Sequence, residues 1–129
     1  MLAHGTVGSN DLEKAKAFYD ELLGSIGMKP AMEHPSGGRI YASQDGRMFG
    51  VLGPADGNKA TIGNGSMHGF HLPTRKQVDD FHATALKLGG ADEGAPGLRG
   101  PEEKQLYFTY VRDLDGNKLC AFRVGPDEA

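Results

Sequence analysis

His4–Gly27, HGTVGSNDLEKAKAFYDELLGSIG, returns 63 positions later as Met67–Gly90, MHGFHLPTRKQVDDFHATALKLGG. At this offset Val7 meets Phe70, Ala15 meets Val78, Phe18 meets Phe81, Leu23 meets Leu86 and Gly27 meets Gly90. Each copy reads as a short strand, a capped helix of about four turns and a glycine exit. The simplest account is an internal duplication. In the first copy Asn10 and Glu13 have the Asn-x-x-Glu spacing of a helix start. Leu12, Ala15, Phe18, Leu22 and Ile26 then recur every three or four residues and make one face apolar, while Lys14, Lys16, Asp20 and Glu21 fill the other. Gly24 and Gly27 suit the left-handed backbone just past a helix end. The second copy repeats this with Thr74-x-x-Gln77 as its capping box, Val78, Phe81, Ala85 and Leu88 as its apolar face, and Gly89-Gly90 as its exit.

Outward from the two helices the pattern changes to strands and tight turns. In the first half, strands are expected over 2–8, 28–34, 39–44 and 47–52, with Asp45-Gly46 as a hairpin turn. The second half gives strands over 66–72, 91–95, 105–112 and 118–124, with Asp115-Gly116 as the matching hairpin. Here the offset grows to 70, because the second half has gained residues in a loop placed at 96–103. The fold class is therefore α+β: two tandem βαβββ modules. Module one covers about residues 1–54, a glycine-rich linker 55–65, and module two about 66–124, all within one domain of 129 residues. The tail after Val124 is expected to fray.

Composition narrows the function classes. A net charge of −3 with no run of Lys or Arg leaves nucleic-acid binding without a basis. A single cysteine forms no internal disulfide and fits a reducing compartment. With no long apolar run and no basic-then-apolar leader, no membrane association is expected and the cytoplasm is the default.

His4 seven residues before Asp11-Leu12, the helix bearing Ala17-Phe18-Tyr19, and Asp113-x-Asp115-Gly116-Asn117 together carry a resemblance. From His4 to about Phe122, the chain resembles the glyoxalase/bleomycin-resistance/dioxygenase superfamily, also called vicinal oxygen chelate proteins. The resemblance implies a cup formed by paired modules whose mixed sheet is curled, with helices outside and ligand inside, and in many members a homodimer. It also implies, in metal-using members, a divalent cation held by a first-strand His in each module and by a residue, often Glu, on each last strand. Carried over position by position, these fall on His4, Met67, Gly50 and Cys120. Only His4 is a conventional ligand, so the metal site is expected to be degenerate, with no cofactor required and a divalent metal as the lesser alternative. His71 shares the cup face with Met67 but lies about 13 Å along the strand, too far to serve the same ion. His68 turns to the opposite face.

The expected ligand-binding set is therefore His4, Met67, His71 and Cys120, with His4 as the catalytic candidate and the one metal candidate. The soft set His4, Met67 and Cys120 suggests copper, against the plainer reading of Met and free Cys as apolar filler. Cys120 paired with His4 would make a nucleophile, against a core cysteine. Tyr107, Phe108 and Tyr110 suit sheet core or a ligand platform, and Arg99 and Lys104 suit a lid or a solvated loop. Two functions remain. One is binding of a small, partly apolar molecule, as in bleomycin-resistance-type members. The alternative is a metal-dependent lyase of lactoylglutathione-lyase type, or a dioxygenase or transferase, using His4.

Overall fold

In the computed structural model, which describes residues 1–127, the chain divides into two compact units, Met1–Asn64 and Gly65 onward. The first runs β1 (His4–Gly8), α1 (Leu12–Gly24), β2 (Lys29–Glu33), β3 (Arg39–Ala42) and β4 (Met48–Leu52). The second runs β5 (His68–His71), α2 (Arg75–Lys87), β6 (Ala91–Arg99), β7 (Leu106–Arg112) and β8 (Lys118–Val124), with a short 3-10 turn at Glu102–Lys104. Each unit has its own four-stranded mixed sheet, ordered β1-β4-β3-β2 and β5-β8-β7-β6. The first strand of each unit lies parallel to the last, and the remaining neighbours are antiparallel. Parallel neighbours need a long crossover, and α1 and α2 lie within those crossovers.

Period-two alternation sends each sheet's side chains to two faces, and one is packed by the helix. In the first unit Ala15, Phe18, Tyr19, Leu22 and Leu23 of α1 are buried, as are Val7, Tyr41, Phe49 and Val51 of the sheet. The Tyr19 ring lies 5.3 Å from that of Phe49. In the second, Val78, Phe81 and Ala85 of α2 are buried, together with Thr109, Val111, Leu119 and Ala121. The Phe70 ring meets Phe81 at 5.8 Å. Of the apolar spacing read on the helices, Ala15, Phe18, Leu22, Val78, Phe81 and Ala85 are buried, whereas Leu12 is half-buried and Ile26 and Leu88 lie beyond the helix ends.

The first helix is capped one residue later than the Asn-x-x-Glu spacing indicated. Asp11 accepts the Lys14 backbone N–H at 3.2 Å, because Asn10 is engaged elsewhere. Its amide donates to Ala60 O at 3.0 Å and accepts the Ala60 N–H at 2.7 Å, pinning the glycine-rich stretch to the first unit. Thr74 caps α2 as expected, accepting the Gln77 N–H at 3.1 Å. Gly27 alone takes the left-handed backbone after α1, at φ +90°, whereas Gly24 does not.

The loop expected at 96–103 is largely strand. β6 continues to Arg99 through register shifts between Asp92 and Gly94 and between Gly94 and Gly97. Pro96 lies within the second shift, where a strand tolerates a residue without an N–H donor. The tail is held at Gly125, whose N–H donates to Gln105 O at 3.0 Å and whose carbonyl accepts from Arg75 Nη2 at 3.3 Å. The last two positions of the tail lie outside the described residues.

Candidate functional site

The sequence-derived candidates divide between the units: His4 in the first, Met67, His71 and Cys120 in the second. His4 opens β1 and is exposed. Its register partner on β4 is Met48, whereas Gly50 lies opposite Thr6 and Ile40. Thus the residue beside His4 on the neighbouring strand is a thioether, and the last-strand position chosen by the Asp-Gly alignment lies two residues further on. The face of this sheet away from α1 also carries Met32, Ile40 and Leu52.

In the second unit, β5 begins at His68, so Met67 stands just outside the strand, 45% exposed. His71 ends β5 opposite Phe122, and Cys120 lies opposite Gly69 on one side and Tyr110 on the other. His71 and Cys120 therefore share the face away from α2. Cys120 is buried, and burial pushes its thiol up to about 11, slightly opposed by nearby Lys118. His68 is on the helix side, where burial lowers its pKa.

Around His71 and Cys120 the structure assembles a row of rings, joining Phe108 and Tyr110 to Phe122, which the sequence reading did not single out. Phe108 and Phe122 stack at 4.9 Å between centroids and 10° between planes. Tyr110 continues the stack beside Phe108 at 6.0 Å and 20°, and the His71 ring lies 5.3 Å from Phe122. The aromatic run 107–110 is split by alternation. Tyr107 faces α2, where its hydroxyl donates to Asp79 at 2.6 Å, and burial and Asp79 push its pKa up to about 12. Phe108 and Tyr110 face the other way. Two cations meet the end of the row: the Arg99 guanidinium 5.7 Å and the Lys118 ammonium 5.2 Å from the Tyr110 centroid. Arg99 is thus a strand residue beside Tyr110, where the sequence had left a lid and a solvated loop as alternatives. Lys118 and Phe122 could have been found by applying strand alternation outward from Cys120 on the last strand.

The donor chemistry does not fit the cation of the metal-using members. Such an ion needs several oxygen or nitrogen ligands at close range. The carried-over positions supply one imidazole, a thioether, a glycine and a buried thiol that burial keeps protonated. Among the described residues, no three His, Cys, Asp or Glu side chains converge as ligands. No helix among the described residues is long and apolar enough to cross a membrane.

The family model of the Glyoxalase/Bleomycin resistance protein/Dioxygenase superfamily matches residues 1–121. The chain belongs to that superfamily. A glyoxalase/bleomycin resistance protein from Albidiferax ferrireducens T118 is 44% identical, with a TM-score of 0.86 over 98% of this chain and 99% of that one. A glyoxalase-related enzyme from Fulvimarina pelagi shares the fold at 19% identity and a TM-score of 0.73, covering 100% of this chain and 95% of its own. A lactoylglutathione lyase from Agrobacterium tumefaciens does so at 20% and 0.69, covering 95% and 92%. No curated protein matches. His4 opens β1, whereas its counterpart at the 63-residue offset, Met67, stands just before β5; Gly50 and Cys120, matched by the two Asp-Gly turns, lie on β4 and β8.

Proposed function

We propose that this superfamily member binds a small, partly apolar organic molecule on the helix-free sheet face of its second unit, without a resident metal. The observation that carries this reading is the row Tyr110–Phe108–Phe122–His71, four rings in sequence on a sheet face that α2 does not cover. Binding sites for small molecules are lined mainly by apolar and aromatic groups, with a few polar groups setting orientation. Cys120, at the centre of this face, contributes packing: a thiol held protonated is a poor nucleophile.

The alternative, a lactoylglutathione-lyase-like or dioxygenase/transferase activity, assigns His4 to a metal or to proton transfer. His4 is exposed, and no carboxylate lies within ion-pair distance of it among the described residues, whereas a divalent cation needs several such donors close together. The same reading takes the working form as a cytoplasmic homodimer, which light scattering tests.

The test is metal analysis and thermal-shift screening of untagged wild-type protein against small aromatic compounds. The expected result is substoichiometric metal together with stabilisation by at least one compound class, lost in Phe108→Ala. Stoichiometric Ni, Zn, Mn or Fe that disappears in His4→Ala would instead favour the enzyme.

A further inference from the structure

We infer that the ligand of this face is a planar aromatic carboxylate, its ring on the Phe108–Phe122 stack and its anionic end held by Arg99 and Lys118 at Tyr110. This rests on the ligand-binding reading above and adds the chemical class.

The argument begins with how Arg99 is held. Its guanidinium folds back along β6 and donates from Nη2 to Ala95 O at 2.6 Å. Gly94 and Gly97 lie directly beneath it: a β-carbon at Gly94 would come 3.3 Å from Nη2, and one at Gly97 would come 3.2 Å from Nη1. Side chains at either position would press on the guanidinium. The glycines thus let a cation lie flat against the strand, with donors left over beyond the one used on Ala95.

The second step concerns charge. Arg99 and Lys118 approach the same ring, yet neither has a carboxylate within ion-pair distance among the described residues. Contrast Arg75, 5.1 Å from the Tyr107 centroid: there Asp79 accepts the Tyr107 hydroxyl, so a carboxylate is already present at the ring. Each cation stands near the Tyr110 ring without a carboxylate partner, so an anionic group brought to that ring is attracted by both. An Arg fork suits the two oxygens of a carboxylate.

The third step concerns shape. Phe108 and Phe122, stacked 4.9 Å apart and nearly parallel, turn their faces to one another and leave their edges for a ligand, and ring edges are the positive end of the aromatic quadrupole. What they meet best is the negative π-face of a planar aromatic, in edge-to-face contact. Flat ring and carboxylate in one molecule answer both features, and their spacing along the row sets the orientation.

The probes are 2-naphthoate and its neutral counterpart 2-naphthalenemethanol, titrated calorimetrically into the full chain. Wild-type protein should bind naphthoate about tenfold more tightly than the alcohol, as charge-assisted contacts allow. Arg99→Gln/Lys118→Gln should lose that preference while binding the alcohol as wild type does, which also shows that the variant is folded. Arg99→Lys/Lys118→Arg should keep a preference for the anion. Equal wild-type affinities, a preference that survives the double glutamine variant, or a parallel loss of both probes would overturn the assignment. If the alcohol binds and naphthoate gains nothing, the ligand-binding reading stands and the carboxylate falls. If neither probe binds at millimolar concentration, both fall.

Discussion

At position 69 a β-carbon would lie 2.9 Å from Cys120 Sγ and 3.2 Å from the Phe122 ring. The glycine is therefore required by the close packing of β5 on β8. Gly69→Ala is expected to cost about 1–3 kcal/mol as overpacking, read as a lower melting temperature, and to displace the Phe122 ring from its stack. Because the nearest clash is with sulfur, Gly69→Ala/Cys120→Ala should be more stable than the sum of the single changes implies, a coupling that a double-mutant cycle measures. Cys120 itself gives a second prediction. Its folded pKa is raised, to about 11 from an ordinary 9.0. The group therefore contributes its full stabilisation below the unfolded value and loses it as pH rises through the interval between the two. Melting temperature should fall across that alkaline interval, and Cys120→Ala should flatten the fall. At pH 8, iodoacetamide should alkylate Cys120 at least about a hundredfold more slowly in the native than in the denatured chain, since only thiolate reacts. Rapid native labelling would show an accessible, activated thiol instead.

The element that departs most from the reading of the sequence is β6. Of Ala91–Arg99, ADEGAPGLR, the sequence reads only 91–95 as strand, since Pro96 and Gly97 argue by composition for a loop beyond it. The whole segment is a strand because its partner compensates for each irregularity. The Thr109 hydroxyl, fully buried on β7, donates to Gly94 O at 2.7 Å within the bulged segment. Arg112 bonds Glu93 at 3.0 Å and His82 bonds Asp92 at 2.9 Å, tying the same segment to β7 and α2. Such tertiary partners leave no trace in local propensity, whereas α1 and α2, with sustained periodicity and side-chain caps, were legible almost to the residue. Thr109→Val keeps the shape of the side chain and removes the hydroxyl, leaving Gly94 O without that partner. The expected cost is about 1–3 kcal/mol, with faster amide hydrogen exchange confined first to 92–98. If exchange rises instead uniformly across the second unit, the bulge is not an independently held feature. The His82 bond holds the Asp92 carboxyl below its ordinary pKa of 3.8. Its contribution is present above that value and lost as pH falls further. Asp92→Asn should therefore reduce the steepness of acid unfolding below about pH 4.

Across the whole molecule, the duplicated pattern made the architecture readable: two copies, each with the same element order, are consistent constraints that a single copy would not supply. The site was readable only in part. His71 was placed by alternation and Cys120 by the resemblance, but the ring row depends on pairing between β7 and β8, strands whose register comes from the Asp115-Gly116 turn and whose neighbours come from the tertiary fold. Arg99 could not be connected to Tyr110 while its segment was read as loop. The expected weakness of the metal site followed from residue identity alone, and it has a consequence for the stability of the full chain. A metal bound only by the folded state stabilises it by RT ln(1 + [M]/Kd), about 2.7 kcal/mol at a hundredfold excess over Kd. For a chain of this size, removing that much would lower the melting temperature by roughly 10 °C or more. One imidazole, a thioether, a glycine and a protonated thiol offer no such linkage. The melting temperature of untagged protein should therefore be the same with millimolar EDTA and with added Zn, Ni or Mn, to within about 1 °C. A drop with chelator that metal restores, and that His4→Ala abolishes, would mean that His4 anchors an ion after all.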